Sequence, residues 1–181
     1  MPGHPIYQSS RYHRHGVLHL MAALSVADGY ILGQCHSRKR FIDFRAFLET
    51  AIVVEAQRRK VQTIAFVLDN GPTHASKQLP RWAKELAQRS AGQLTVQLSW
   101  LPTNASWLDQ IEIWFSLLQC KLLQPNHFTS LDELEQAILA FIARYNQTAK
   151  PLKWSYTVEQ LEHKLATRLE GGMKTADKQV A

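Results

Sequence analysis

Thr63-Ile64-Ala65-Phe66-Val67-Leu68-Asp69-Asn70-Gly71-Pro72 decides the architecture. Residues 63–68 form a continuous apolar run, the pattern of a strand covered on both faces. Asp69-Asn70-Gly71-Pro72 is turn chemistry and ends it. A carboxylate at the C-terminal end of a buried strand lies on the sheet edge where open α/β folds bind ligands. Such a strand is a rigid mount from which Asp69 can reach a cation. The competing reading makes Asp69 an Asx-turn residue or the cap of the next helix.

Outward from this strand, helical and strand periods alternate. Downstream, a helix is predicted over about 75–89, with Gly92 as its breaker, and a strand over 94–100, where Val96 and Leu98 alternate with Thr95, Gln97 and Ser99. Residues 101–104 read as a loop. Ser106 is placed to cap a helix reaching about Leu123, with Leu108, Ile111, Trp114, Phe115, Leu118 and Leu122 at helical spacing. Ser130 and Glu133 form a capping box for a helix over about 131–146. A last short helix is expected over about 156–168, and a disordered tail over 169–181.

Upstream, residues 17–26 and 30–36 flank Asp28-Gly29, a hairpin signal. Arg11-Tyr12-His13-Arg14-His15 before the run Val17 to Ala27 imitates a signal peptide, but His19 interrupts the run and a second β-like run follows, so the hairpin is preferred. His4, His13 and His15 lack a second ligand cluster and read as part of a solvated basic arm. Ser37 to Arg40 is a basic loop. Phe44, Phe47, Leu48, Ala51 and Ile52 give a helix over 41–57, closed by Arg58-Arg59-Lys60 at the negative end of its dipole. The order β-β-α-β-α-β-α-α-α predicts one α/β domain over 1–168, a mixed sheet flanked by helices.

The composition bounds what such a domain can be. The chain has 181 residues, 45% of them hydrophobic, enough for a real core and too many for intrinsic disorder. Two cysteines, Cys35 and Cys120, exclude a disulfide scaffold and a cysteine-rich zinc site, and read as buried reduced thiols of a cytoplasmic protein. No apolar stretch reaches the roughly 20 residues that span a bilayer. A net charge of +6 is compatible with a polyanion partner without establishing one. P-loop, Gly-x-Gly-x-x-Gly and Gly-x-Ser-x-Gly patterns are absent from the sequence.

Chemistry therefore falls to a few acids. Glu112 stands among Ile111, Ile113, Trp114 and Phe115, where a carboxylate needs a partner or a metal. The alternative is an exposed glutamate, or one paired with Lys121 or an arginine. Asp109, one turn earlier, shares its face and reads as a local capping residue. Asn70, His74 and Asp109 are accessory candidates. Carboxylates from separate elements suit Mg²⁺ or Mn²⁺, and two such ions about 4 Å apart promote phosphoryl transfer. Arg38, Lys39, Arg40, Arg58, Arg59 and Lys60 would then face the phosphates of DNA.

Two segments carry a family resemblance. Val67 to His74 resembles the second-acid segment, and Leu101 to Phe115 the third-acid segment, of bacterial insertion-sequence transposases of the mariner superfamily. Tyr12 to Gly16, Ala22 to Leu24, Asn146 and Lys150 to Trp154 match in the same order. The resemblance implies an RNase H-like (retroviral-integrase-like) fold, a DDE triad binding Mg²⁺ or Mn²⁺, and cleavage and strand transfer at transposon ends. Its partners would be double-stranded DNA, the upstream half of the transposase and a second copy of the chain. Asp69 carries over as the second acid and Glu112 as the third, while Asp109 stands where the family usually has Asn. The first acid does not carry over, because residues 1–11 hold no Asp or Glu. The resemblance thus implies a domain lacking its first, central strand. Two rivals stand beside this reading: an inactive remnant that at most binds DNA, and an unrelated α/β small-molecule binder.

Overall fold

A computed structural model describes residues 16–74, 77–102 and 108–153. The chain divides into two compact units, Met1–Pro151 and Leu152–Ala181, and every element below belongs to the first. The amino-terminal arm with His4, His13 and His15, the capping position Ser106, the helix expected over 156–168 and the tail lie outside the described residues.

Strands β1 (His19–Leu24) and β2 (Ile31–His36) pair antiparallel, from His19 opposite His36 to Leu24 opposite Ile31. Asp28-Gly29 does mark the turn, but in a wider loop than a two-residue hairpin. Ser25 N–H donates to the Tyr30 carbonyl, Gly29 N–H donates to the Ser25 carbonyl, and Gly29 adopts φ +74°. Asp28 accepts from Tyr30 N–H at 3.1 Å and pairs with Arg59. Its tip is therefore tied to the following helix.

That helix runs as α1 (Phe41–Phe47), a π-helical stretch Leu48–Val53, and α2 (Val54–Arg58). Arg40 and Asp43 close its start, with the Arg40 backbone N–H and guanidinium both donating to the Asp43 carboxylate. The Arg40 guanidinium holds that carboxyl at about 2. Arg58 and Arg59, expected at the helix end, both reach back to Glu55 at 2.7 and 2.6 Å. Lys60 follows in the left-handed region, at φ 56°.

Strand β3 (Thr63–Leu68) pairs in parallel with β4 (Thr95–Trp100), across the crossover helix α3 (Gln78–Arg89). The expectation that β3 is covered on both faces is corrected. Ile64, Phe66 and Leu68 pack into the core, whereas Thr63, Ala65 and Val67 are exposed, Val67 to 54%. A run of apolar residues does not reveal which side has a neighbour. The single mixed sheet is likewise replaced by two two-stranded ladders, and no strand joins them among the described residues.

Helix α4 (Ile111–Leu118) continues as a π-helical stretch Gln119–Leu123, and α5 (Leu131–Gln147) follows. Ser130 Oγ accepts from Glu133 N–H at 3.1 Å, as the capping box requires, and the Glu133 carboxylate reaches back chiefly to the Thr129 N–H and hydroxyl, with the Ser130 N–H also favouring its charged form.

The β1–β2 hairpin separates two cores. Met21, Ala23 and Leu32 face α1, α3 and the parallel ladder, while Leu20, Ala22, Leu24, Ile31 and Cys35 face α4 and α5. Alternate residues thus serve opposite layers, as strand geometry dictates. Trp82 and Phe47 anchor the first core, and Trp114 the second, each 1% exposed. Asn146 joins hairpin to helix. Its side-chain amide donates to the Ile31 carbonyl and accepts from Ile31 N–H, both at 2.8 Å. This pairing substitutes for a neighbouring strand at the start of β2.

The reading of both cysteines as buried is corrected, since Cys120 is exposed on the π-helical stretch. Cys35 is half-buried, and burial pushes its thiol up to about 11, with the Glu135 charge adding to it. Alkylation by iodoacetamide near neutral pH is expected to label Cys120 well before Cys35. Peptide mass mapping over time checks the order, and equal rates would contradict it.

Candidate acidic site

Asp69 follows β3 directly, as the strand reading requires. The Asx-turn exists, and it leaves part of the carboxylate available. Gly71 N–H donates to Asp69 Oδ1 at 2.9 Å, and His74 Nδ1 lies 2.8 Å from the same oxygen. Among the described residues, Asp69 Oδ2 receives no hydrogen bond. Burial raises the carboxyl, but the Gly71 N–H, His74 and Lys39 together outweigh it and hold Asp69 below the ordinary carboxylate range. A Cβ on Gly71 would stand 2.9 Å from Asp69 Oδ1, so this position admits no side chain without moving the acid.

Asn70 and His74 are support for this acid. Asn70 Nδ2 donates to the Leu101 carbonyl at 2.6 Å, which ties the end of β3 to the end of β4. His74 N–H donates to the Gly71 carbonyl at 2.9 Å, closing the turn. The imidazole also packs on Phe44, with ring centroids 4.8 Å apart. Phe44 escapes a search for functional residues, because its helical spacing marks it only as core. Its second task shows only once α1 is seen beside the turn.

Glu112 is not two turns into its helix. Helix α4 begins at Ile111, so Glu112 lies in the first turn and is exposed. Asp109 stands just ahead of the helix, where its Oδ1 accepts from Ile111 N–H at 3.3 Å and its carbonyl accepts from Glu112 N–H. The Ser106-x-x-Asp109 capping arrangement itself lies partly outside the described residues. The apolar residues around Glu112 point elsewhere: Trp114 is buried and Ile113 is 50% exposed. Among the described residues Glu112 has no ion pair with Lys121 or with any arginine.

These acids do sense each other. Burial raises the Glu112 carboxyl first, and the charges of Asp109 and Asp69 raise it further. Asp109 is likewise raised by burial and by Asp69. The end of β3 and the start of α4 therefore place like charges on one neighbourhood, an arrangement that a cation relieves. The donors are hard oxygens suited to Mg²⁺ or Mn²⁺. They do not form a finished cage, since among the described residues no three His, Cys, Asp or Glu side chains are placed to hold a metal ion together.

The four acids that precede Asp69 in the sequence are all committed elsewhere. Asp28 holds Arg59, Asp43 holds Arg40, Glu55 holds Arg58 and Arg59, and Glu49 accepts from Trp82 Nε1 and pairs with Arg89. The same pairs occupy three of the six cations expected to face DNA: Arg40, Arg58 and Arg59. Arg38, Lys39 and Lys60 carry no ion pair among the described residues. No helix among those residues is long and apolar enough to cross a membrane.

A family model described as DDE superfamily endonuclease matches residues 1–135, a span that contains both ladders and the acids Asp69, Asp109 and Glu112. No curated protein matches the chain.

Proposed function

Since the chain belongs to the DDE superfamily endonuclease family, we propose that it is a transposase-type catalytic domain of the insertion-sequence kind, RNase H-like in fold. Double-stranded DNA is its substrate, and Asp69 and Glu112 supply two of its metal-holding carboxylates. The observation that carries this reading is electrostatic. Asp69 at the end of β3 and Glu112 at the start of α4 come from distant parts of the sequence, yet after burial and the nearby Asp109 charge the Asp69 charge also raises the Glu112 carboxyl. Neither Asp69 nor Glu112 has an arginine partner among the described residues, whereas the four acids upstream are matched with arginines, and a carboxylate raised by neighbouring like charge is one that a cation would relieve.

A bound divalent cation would activate a water and stabilise the leaving oxygen of a DNA strand. The protein's own residues prepare the place. Gly71 and His74 fix one oxygen of Asp69 and leave the other open. Asp109 caps the helix start and so sets where Glu112 stands. Lys39 holds a positive charge near Asp69.

A second reading, an inactive remnant that binds DNA without cutting it, is favoured by one observation. Every acid upstream of Asp69 is committed to a structural pair, so none of these four is free to join Asp69 and Glu112. The test is nicking of supercoiled plasmid in Mg²⁺ or Mn²⁺. The 181-residue chain alone is expected to leave the plasmid intact, and addition of an acid-bearing segment of the same transposase is expected to restore nicking. Restored nicking must then be lost in Asp69→Asn and in Glu112→Gln. Robust cutting by the chain alone would show that its own acids suffice. Cutting untouched by Glu112→Gln would refute the site.

A further inference from the structure

A cavity of about 350 Å³ opens between the π-helical end of α4 and the last turns of α5, lined by Leu117, Lys121, Phe141, Arg144 and Tyr145. The volume is at the lower end of the range for small-ligand sites. Its charge is one-sided. Lys121 and Arg144 are both exposed, and neither has an ion pair or hydrogen bond among the described residues. Elsewhere in this unit most arginines are held by carboxylates, so the bare pair is conspicuous. The remaining walls are aliphatic and aromatic. Their positions are fixed from beneath by buried Trp114, whose ring lies 6.2 Å from Phe141 and 6.2 Å edge-on from Tyr145. The Trp114 indole N–H is itself buried without an acceptor among the described residues. The cavity lining itself carries two cationic donors and no carboxylate, and a ligand bearing anionic oxygens would balance it.

From this combination we propose that the cavity binds one unstacked nucleotide of single-stranded DNA, its phosphate between Lys121 and Arg144 and its base against Tyr145 and Phe141. Cations supply phosphate contacts, and an aromatic wall supplies stacking that tolerates any base. A duplex offers phosphates but no free base face, so it would leave the aromatic wall unused. Lys121 sits in a π-helical turn, a local irregularity often found where helices carry function. The cavity is also separate from the acids. Leu117 and Lys121 lie on a different face of the helix from Glu112, and Lys121 is about 13 Å further along the axis at 1.5 Å per residue. The site therefore grips a strand away from the cutting centre. The choice of DNA rests on the endonuclease reading above.

The test is fluorescence anisotropy of a labelled oligo-dT with the whole chain, in EDTA and without metal. The Lys121→Gln/Arg144→Gln double variant is expected to weaken binding at least about tenfold and to flatten the salt dependence by about one unit of log–log slope. Tyr145→Phe should bind like wild type, because stacking survives. An abasic oligomer of equal length should bind more weakly than oligo-dT to wild type and no more weakly to the double variant than oligo-dT does. Oligo-dT affinity within about twofold of wild type in the double variant would overturn the proposal, as would equal affinity of wild type for abasic and thymine-bearing strands. Circular dichroism melting verifies that the variant is folded, and Arg144→Lys, which keeps the charge, must retain binding. Plasmid nicking by the Lys121→Gln/Arg144→Gln variant is read in parallel with its oligo-dT binding. Loss of nicking with intact binding, or the reverse, tells failure of one reading from failure of the other.

Discussion

Gly29→Ala is expected to destabilise this chain by about 3 kcal/mol or more, a fall in Tm of roughly 6–12 °C for a domain of this size. Two independent costs meet at the position. The backbone holds φ +74°, where a Cβ is strained by about 1–2 kcal/mol. That Cβ would also collide with the Lys150 carbonyl oxygen and stand 2.6 Å from its carbon, so the backbone beyond α5 must move. Moving it disturbs the adjacent Asn146 clamp on Ile31, which satisfies both backbone groups of the first residue of β2. Asn146→Ala alone is expected to cost about 2–4 kcal/mol, because two hydrogen bonds go and two half-buried backbone groups lose their partners. If both substitutions act by freeing the hairpin loop from the end of α5, the double variant falls short of the sum. Thermal melts of the four proteins measure this. A Gly29→Ala protein that melts within about 2 °C of wild type would contradict the close approach.

Hairpin and helices were legible because their signals are local. Asp28-Gly29 needs a turn whatever surrounds it, and Phe44, Phe47, Leu48 and Ile52 share a helix face by period alone. Ser130 caps because it precedes a helical pattern with Glu133 in place. Signals failed where the outcome depends on a remote neighbour. The exposure of Val67 is set by what packs on that side of β3, and nothing within residues 63–68 encodes it. Glu112 reads as deep in a helix because Ser106 is a good cap, but α4 starts at Ile111, with the Asp109 carboxylate holding the Ile111 N–H just ahead of it. The basic residues illustrate the same limit most sharply. Arg58 and Arg59 read as a DNA-facing cluster, yet Glu55 is one helical turn away and Asp28 lies across the fold, so intramolecular pairs claim them. The acids show the converse. Asp69 and Glu112 stood out by position, and they also lack arginine partners, a property no sequence pattern could show.

That lack of partners leads to the second large effect. Glu112→Gln is expected to reduce metal-dependent nicking by about 10³-fold wherever nicking is supported, in line with loss of a group that stabilises transition-state charge. Asp69→Asn should do the same, and the two together should cost no more than either, because carboxylates sharing one ion act as a unit. Binding of Mn²⁺, measured by electron paramagnetic resonance without DNA, gives a readout independent of cutting. The sign of its pH dependence follows from the shifts. Burial, Asp109 and Asp69 raise the Glu112 carboxyl, so it takes up a proton earlier than an ordinary glutamate as pH falls. Mn²⁺ competes with that proton, and affinity must therefore drop on acidification through the upper carboxylate range. Gln at position 112 removes the proton and the ligand together, leaving weaker binding with a flatter pH profile. Asp69, held low by Gly71, His74 and Lys39, stays ionised over the same range and adds no slope there. His74→Ala should accordingly weaken Mn²⁺ binding far less than Asp69→Asn, since it removes a support of the carboxylate and not the carboxylate itself. Wild-type Mn²⁺ affinity that is flat with pH, or unchanged in Glu112→Gln, would mean that this acid belongs to the helix start and not to the metal.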